Sequence, residues 1–166
     1  MAVTPEQMPD RALVQFNCDG RATGKIRNEL RVTMVRPFEE TFDLASDEGG
    51  FHGGDGTAPP PLALFVAGLA GCLMTQIRAF GKRLGVPVEG LRTETRAIWS
   101  WQKDGRVYQT APEGFEIDIF LDSAVSDDAK AALIAAAQKG CFLEQTLGRG
   151  NTIRHRLATA DGFLDL

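Results

Sequence analysis

Residues 62–74 constrain the fold of this chain more than any other stretch. They include no charged or amide side chain, and three prolines at residues 59–61 precede them. A helix that is apolar on every side is buried within a protein core or a membrane. A bilayer span needs about 20 apolar residues, but this run ends sooner, at Gln76 and Arg78. We therefore expect a helix at the centre of a globular core, ended by Gly85.

Cys72 lies in the middle of this predicted helix. Helical spacing places it on or beside the apolar stripe formed by Leu62, Phe65, Leu69 and Leu73. A buried cysteine packs as a small hydrophobic residue and needs no chemical role. Position alone therefore leaves an inert and a reactive Cys72 both open.

Length and composition indicate a single globular domain. The chain has 166 residues, of which 43% are hydrophobic and 24% charged, and its net charge of −4 argues against a general nucleic-acid partner. We expect one domain over residues 1–166, with residues 1–12 as a mobile N-terminal arm and no membrane partner. An odd number of cysteines without an export signal predicts a reducing, cytoplasmic location.

The alternation of apolar and polar residues predicts strands on both sides of the central helix. Residues 18–25 are interpreted as a turn, and the glycine-rich residues 45–58 as a loop. After a strand at 115–121, Ser126 is the expected N-cap of a second helix that closes at Gly140. The other expected strands are 12–17, 29–35, 40–44, 88–101 and 152–158. The 29–35 and 40–44 strands are expected to pair with each other as a hairpin or ladder. This order, with sheets that keep one solvated face, predicts an α+β fold.

The sequence offers no metal or cofactor site. The histidines and cysteines are scattered, without CxxC or HExxH spacing. The loop at 45–58 matches neither a P-loop nor a dinucleotide fingerprint, and no G-x-S-x-G elbow is present. We therefore predict no cofactor, and the cysteines remain as the candidates for chemistry.

Two of the thiols are candidates for a nucleophile and its resolving partner. Cys141 is predicted at a helix start, where N–H groups and the helix dipole favour a thiolate. Cys72 would need a nearby arginine to ionise, because desolvation raises a thiol pKa. Arginines 21, 27 and 31 could supply that charge. Cys18 lies beside Asp19, which disfavours a thiolate.

Residues 56–85, GTAPPPLALFVAGLAGCLMTQIRAFGKRLG, resemble the signature of the OsmC/Ohr family of hydroperoxide-detoxifying proteins. In that family a Gly- and Pro-containing loop leads into an apolar helix, and a small-small-Cys step carries the reactive thiol. The GVPVEGL segment, the long strand after it and a second cysteine after a later helix also match. The resemblance spans roughly residues 25 to 158.

The resemblance implies antiparallel sheets packed on a central buried helix, in an intertwined homodimer. It also implies an organic hydroperoxide substrate and an external thiol or dithiol reductant. Cys72 would form a sulfenic acid, and Cys141 would condense with it to a disulfide. An arginine held by a glutamate would stabilise the thiolate. Arg21 and Glu48 are the preferred matches, with Arg27 and Arg31 as alternatives for the arginine, and Phe65 and Leu69 would line an apolar pocket.

Two positions depart from the family pattern. Phe142 follows Cys141 where the family usually has proline, and Ala70-Gly71 precedes Cys72 where two identical small residues are common. These departures keep a second hypothesis open: a non-enzymatic OsmC-like protein that binds a ligand or senses redox state.

Overall fold

The computed structural model describes residues 10–166, so most of the predicted N-terminal arm lies outside the described residues. Its helices are α1 (Pro61–Leu84), α2 (Asp127–Gly140) and α3 (Phe142–Leu147), with a short 3₁₀ helix at Gly50–His52. Its strands are β1 (Gln15–Thr23), β2 (Arg27–Arg36), β3 (Glu40–Ser46), β4 (Glu89–Asp104), β5 (Val107–Asp122), β6 (Arg156–Thr159) and β7 (Gly162–Asp165). The predicted α+β class is confirmed.

The chain divides into two compact units. The first comprises the described part of Met1–Gly68 with Glu94–Asp118, and the second comprises Leu69–Thr93 with Ile119–Leu166. The prediction that the whole chain is one domain stays a prediction.

The first unit contains a three-stranded antiparallel sheet in the order β1-β2-β3. Arg31 of β2 lies between Asp19 of β1 and Asp43 of β3, and its guanidinium forms an ion pair with Asp43, Nε to Oδ1, at 2.8 Å. Opposite charges in facing positions stabilise the pairing of neighbouring strands and fix its register. The predicted pairing of the 29–35 and 40–44 strands is confirmed.

Strands β4 and β5 form a hairpin whose turn has Gly105 in the left-handed region, at φ 60°. Along β4 the part-buried residues alternate with exposed ones, as the sequence predicted. On the exposed face Arg96 pairs with Glu116 at 2.9 Å and Asp118 at 2.8 Å. One polar and one part-buried face are typical of an antiparallel sheet.

Helix α1 is buried along one stripe rather than on every side. Its buried residues are Leu69, Leu73, Ile77 and Gly81, whereas Leu62 is 53% exposed. The expectation of burial all round is therefore wrong for the single chain. By length and composition α1 is long enough to cross a bilayer, but the core helix of a globular protein passes the same test, so this is weak evidence for a membrane span.

In the second unit α1 packs closely against its neighbours at Gly81. A Cβ there would lie 2.5 Å from Val88 Cγ2 and 3.6 Å from Leu133 Cδ2 of α2. Helix α2 starts where the sequence predicted, because Ser126 Oγ accepts a hydrogen bond from the N–H of Ala129 at 3.3 Å. The close contact brings the end of α2, and with it Cys141, alongside α1.

Three strand predictions need correction. Strand β1 continues through residues 18–23, which were expected to form a turn, because their backbone pairs in register with β2. The turn begins only at Gly24, at φ 56°. The last predicted strand, residues 152–158, is observed as the shorter strand β6. The alternation of apolar and polar residues did not predict β7, which pairs with β6 as a short hairpin.

Candidate active site

Cys72 lies on α1 at the edge of its buried stripe. The helix neighbours Leu69 and Leu73 are 1% and 0% exposed, whereas Cys72 is part-exposed. This is the position that helical spacing predicted. A part-exposed thiol is accessible to a solute, unlike a cysteine sealed in the core.

Cys141 is fully buried at the N-cap of α3. The nearby backbone N–H groups of Glu144 and Leu143 lower its pKa, although the side chain of Cys141 accepts no capping hydrogen bond. Burial raises the pKa of Cys141 by more, and the adjacent Cys72 thiol raises it further. The expectation that the helix start favours a thiolate at Cys141 is therefore wrong, because desolvation outweighs the two N–H donors.

The structure brings the thiols of Cys72 and Cys141 together. Cys72 acts directly on the pKa of Cys141, so the two side chains lie close together within the second unit, and both thiols are free. Cys18 is exposed on β1 of the first unit, opposite Val32. Two adjacent thiols of unequal exposure can alternate between the dithiol and the disulfide.

The candidate arginines differ in how they are held. Arg31 forms an ion pair with Asp43, whose carboxylate accepts hydrogen bonds from Nε at 2.8 Å and from Nη2 at 3.3 Å. Arg21 lies opposite Glu29 in the strand register and lines a 350 Å³ cavity on the first sheet. Among residues 10–166 Arg21 makes no ion pair or side-chain hydrogen bond.

Arg27 is held on two edges of its guanidinium. Its Nε donates to Glu29 Oε1 at 2.8 Å, and its Nη1 donates to Thr57 at the hydroxyl (2.8 Å) and the carbonyl (3.1 Å). Its Nη2 donates to no other side chain or backbone group in the described part of the chain. Arg27 is thus anchored and still has free donors.

Glu48 faces His52 rather than Arg21. The distance from Glu48 Oε2 to His52 Nδ1 is 3.4 Å. Glu48 lines an 830 Å³ cavity of the first unit, different from the cavity that Arg21 lines. The structure therefore does not pair the preferred arginine and glutamate of the sequence hypothesis.

Asp47 and Thr57 close the glycine-rich loop, and the sequence reading missed them. Asp47 is 2% exposed, and its Oδ2 accepts hydrogen bonds from Thr57 N at 2.9 Å and Thr57 Oγ1 at 2.8 Å. These bonds hold the pKa of the Asp47 carboxyl below its usual value. Neither residue stands out among the other polar residues of the loop in the sequence alone.

Aromatic side chains line the larger cavity and pack beside it. Phe65 contacts Trp99 and Phe115 with ring centroids 6.0 and 6.1 Å apart, and Trp99 also lines the 830 Å³ cavity. Trp101 and Tyr108 stack at 5.7 Å on the same lining. Two residues, Phe65 and Leu69, were expected to line one apolar pocket. Phe65 belongs to an aromatic cluster of the first unit, whereas Leu69 is buried in the second.

No group of three potential metal ligands is present among residues 10–166.

The OsmC-like protein family model matches residues 54–156, which include both cysteines of the pair. The chain belongs to the OsmC-like family. An OsmC-like hydroperoxide resistance protein from Jannaschia sp. CCS1 is 61% identical, with a TM-score of 0.65 over 92% of this chain and 98% of that one. Comparison with curated proteins gives no match.

More distant OsmC-like proteins share the fold. The structure from Mycoplasma pneumoniae has a TM-score of 0.63 at 14% identity, over 84% of this chain and 89% of that one. A structure from Vibrio cholerae has a TM-score of 0.53 at 11% identity, over 82% of this chain and 94% of that one. The OsmC-like fold is therefore retained at low sequence identity.

Proposed function

We propose that this protein is a thiol-dependent peroxidase that reduces organic hydroperoxides. The observation that carries the proposal is the adjacent pair of free thiols, Cys72 and Cys141, one part-exposed and one buried. The 61% identical relative from Jannaschia sp. is named a hydroperoxide resistance protein, which supports the same substrate class. The apolar neighbours of Cys72 on α1, Leu69 and Leu73, favour an organic peroxide over hydrogen peroxide.

In the first half of the cycle the Cys72 thiolate attacks an oxygen of the peroxide. An S–O bond forms, the O–O bond breaks, and the alcohol leaves after taking up a proton. Cys72 is then a sulfenic acid. The part-exposed position of Cys72 suits this step because the peroxide arrives from solvent.

In the second half Cys141 attacks the sulfur of the Cys72 sulfenic acid. An S–S bond forms and water leaves with the proton of Cys141. The raised pKa of Cys141 keeps it a thiol until that step, and the N–H groups of Leu143 and Glu144 stabilise the charge that develops on its sulfur. An external thiol or dithiol then reduces the disulfide by exchange, most readily in a reducing cytoplasm.

A second copy of the chain is the proposed partner. The exposed apolar side chains of the first unit include Phe51 (86%), Leu62 (53%) and Trp101 (62%). Large apolar patches on a protein surface mark sites of association. A homodimer that covers such side chains is also what the resemblance to the family implies, and size-exclusion chromatography with light scattering tests it.

The test of the function is turnover by matched cysteine variants. With an organic hydroperoxide and a dithiol, Cys72→Ser should abolish consumption, while Cys141→Ser should leave a sulfenic acid that a dimedone reagent traps on Cys72. Cys18→Ser is the control and should keep wild-type turnover. Normal turnover by Cys72→Ser would exclude Cys72 as the nucleophile.

One observation favours a second candidate function. Phe142, which replaces the family's usual proline, is 59% exposed beside the buried Cys141. A different residue at the start of α3 could slow the attack of Cys141 on the Cys72 sulfenic acid. The protein would then bind a ligand or sense redox state without efficient turnover. Peroxide consumption at ordinary enzyme rates in the same assay would remove this candidate.

A further inference from the structure

Gln76 follows Cys72 on α1, one helical turn further along the same face. Residues four apart on a helix are neighbours, with Cβ atoms about 5–6 Å apart. A helical side chain also leans toward the N-terminus, over the preceding turn. The half-buried side chain of Gln76 therefore lies over the turn that presents the Cys72 thiol.

The end of α2 gives a second reference point for the Gln76 amide. A Cβ built on Gly140 would lie 3.6 Å from Oε1 of Gln76 and 2.5 Å from Cζ of Phe80, one turn further along α1. Gly140 directly precedes Cys141, and all of these residues belong to the second unit. The amide thus lies where α1 meets the end of α2, beside the thiol pair.

The hydrogen-bonding capacity of the Gln76 amide is unused within the described residues. Neither Nε2 nor Oε1 bonds to another side chain or backbone group in the part of the chain from residue 10 onward. Its neighbours on the buried stripe, Leu73 and Ile77, are apolar and fully buried. A side-chain amide carries two N–H donors, so both donors of Gln76 are available to an oxygen bound next to Cys72.

An oxygen bound at Cys72 cannot draw on the backbone donors of α1. Only the first four N–H groups of a helix lack an intrahelical acceptor, and Cys72 lies well beyond them in Pro61–Leu84. When a thiolate attacks a hydroperoxide, negative charge develops on the oxygen that leaves. The two oxygens of a hydroperoxide and one hydrogen bond of about 2.9 Å suffice to span the gap of about 5–6 Å between residues four apart on a helix.

We propose that Gln76 is a further catalytic residue: its amide donates a hydrogen bond to the oxygen that leaves the hydroperoxide as Cys72 attacks. This inference rests on the proposed function. The thiolate forms the S–O bond, the O–O bond breaks, and its electron pair leaves on the alkoxide, which takes a proton from water. Gln76 keeps its own protons. A donor aimed at developing charge stabilises the transition state more than the ground state.

The experiment measures how fast the reduced Cys72 thiol reacts with tert-butyl hydroperoxide, peracetic acid and iodoacetamide, read by acid quenching and peptide mapping. Gln76→Met keeps the length and the unbranched shape of the side chain but removes both donors. Loss of a hydrogen bond to a developing charge should slow the reaction with tert-butyl hydroperoxide about 10- to 100-fold. The loss should be smaller with peracetic acid, because acetate is a more stable leaving group than an alkoxide. Iodoacetamide expels iodide, so its rate should be unchanged.

Two further variants separate the hydrogen bond from packing. Gln138→Met makes the same exchange at an exposed position near the end of α2, and it should keep all three wild-type rates. Gln76→Asn keeps the amide but withdraws it by one methylene group. Its reaction with tert-butyl hydroperoxide should therefore be slowed less than that of Gln76→Met, although Met fills the space better.

The proposal is overturned if Gln76→Met reacts with tert-butyl hydroperoxide at the wild-type rate. It is also overturned if this variant loses the same factor with all three reagents, because the defect would then lie in packing or in the ionisation of the thiol. A larger loss in Gln76→Asn than in Gln76→Met would overturn it too. Failure of the proposed function would show separately, as a wild-type Cys72 that does not react with the hydroperoxide, and it would remove this inference as well.

Discussion

The close approach of α1 and α2 beside the thiol pair makes Gly140→Ala the most informative substitution in the second unit. A Cβ at Gly140 would lie 2.5 Å from Cζ and 2.7 Å from Cε2 of Phe80. Carbon atoms in favourable contact are about 3.5–4.0 Å apart. The ring of Phe80 and the end of α2 must therefore separate by about 1 Å.

The expected cost follows from two opposing effects. Overpacking a well-packed site costs about 1–3 kcal/mol, whereas replacing glycine by alanine in a helix returns at most about 1 kcal/mol. The free energy of unfolding should therefore fall by up to about 2 kcal/mol. With a urea m-value of about 1–3 kcal/mol per molar, this lowers the midpoint by up to about 2 M.

The same displacement should weaken the Cys72–Cys141 disulfide. Cβ atoms joined by a disulfide are about 3.5–4.5 Å apart, so a shift of about 1 Å next to Cys141 spans that whole range. The assay is the fraction of linked thiols in dithiothreitol redox buffers, which needs no peroxidase activity. Gly150→Ala, where a Cβ meets nothing within 4 Å, is the control. A Gly140→Ala protein that unfolds at the wild-type urea concentration and links its thiols equally well would refute the reasoning.

Further predictions concern the loop and the buried thiol. Gly54→Ala should open the glycine-rich loop, because its Cβ would clash with the carbonyl oxygen of Glu48. Hydrogen exchange across residues 47–57 should therefore increase. Gly49→Ala is the control and should leave exchange unchanged, because a Cβ there meets open space. The lowered pKa of Asp47 means that its contribution to stability is present above the unfolded-state pKa and is lost as pH falls through the folded-state pKa. Asp47→Asn should therefore flatten the acid limb of a melting-temperature profile below about pH 4, and an unchanged limb would contradict this. Since burial raises the pKa of Cys141, it should be alkylated more slowly than the exposed Cys18 at pH 8, and equal rates by peptide mapping would contradict the assigned burial.

Local sequence signals predicted the elements of the fold that depend on local chemistry. Ser126 caps α2, and Gly85 ends α1 in the left-handed region at φ 70°, as expected. The pairing of β2 with β3 followed from their alternating patterns. The predicted first strand ended too early, at residue 17, because Asp19 and Gly20 suggest a turn. Pairing with β2 holds these residues in the sheet.

The candidate site was only partly accessible from the sequence. Cys72 and Cys141 were selected by helix position and by the resemblance, and the structure places them in contact. The burial that raises the Cys141 pKa depends on the packing of the whole second unit, and no local pattern reports it. The hydrogen bond between Arg27 and Thr57 depends on a loop closure that brings residues 30 positions apart together.

The most direct test of the proposed peroxidase is stoichiometric oxidation of the reduced protein. One equivalent of an organic hydroperoxide per chain, followed by alkylation and peptide mapping, should yield a disulfide between Cys72 and Cys141 and leave Cys18 alkylated. One equivalent of the alcohol should appear with it. Recovery of both Cys72 and Cys141 as free thiols, with the hydroperoxide unconsumed, would contradict the account.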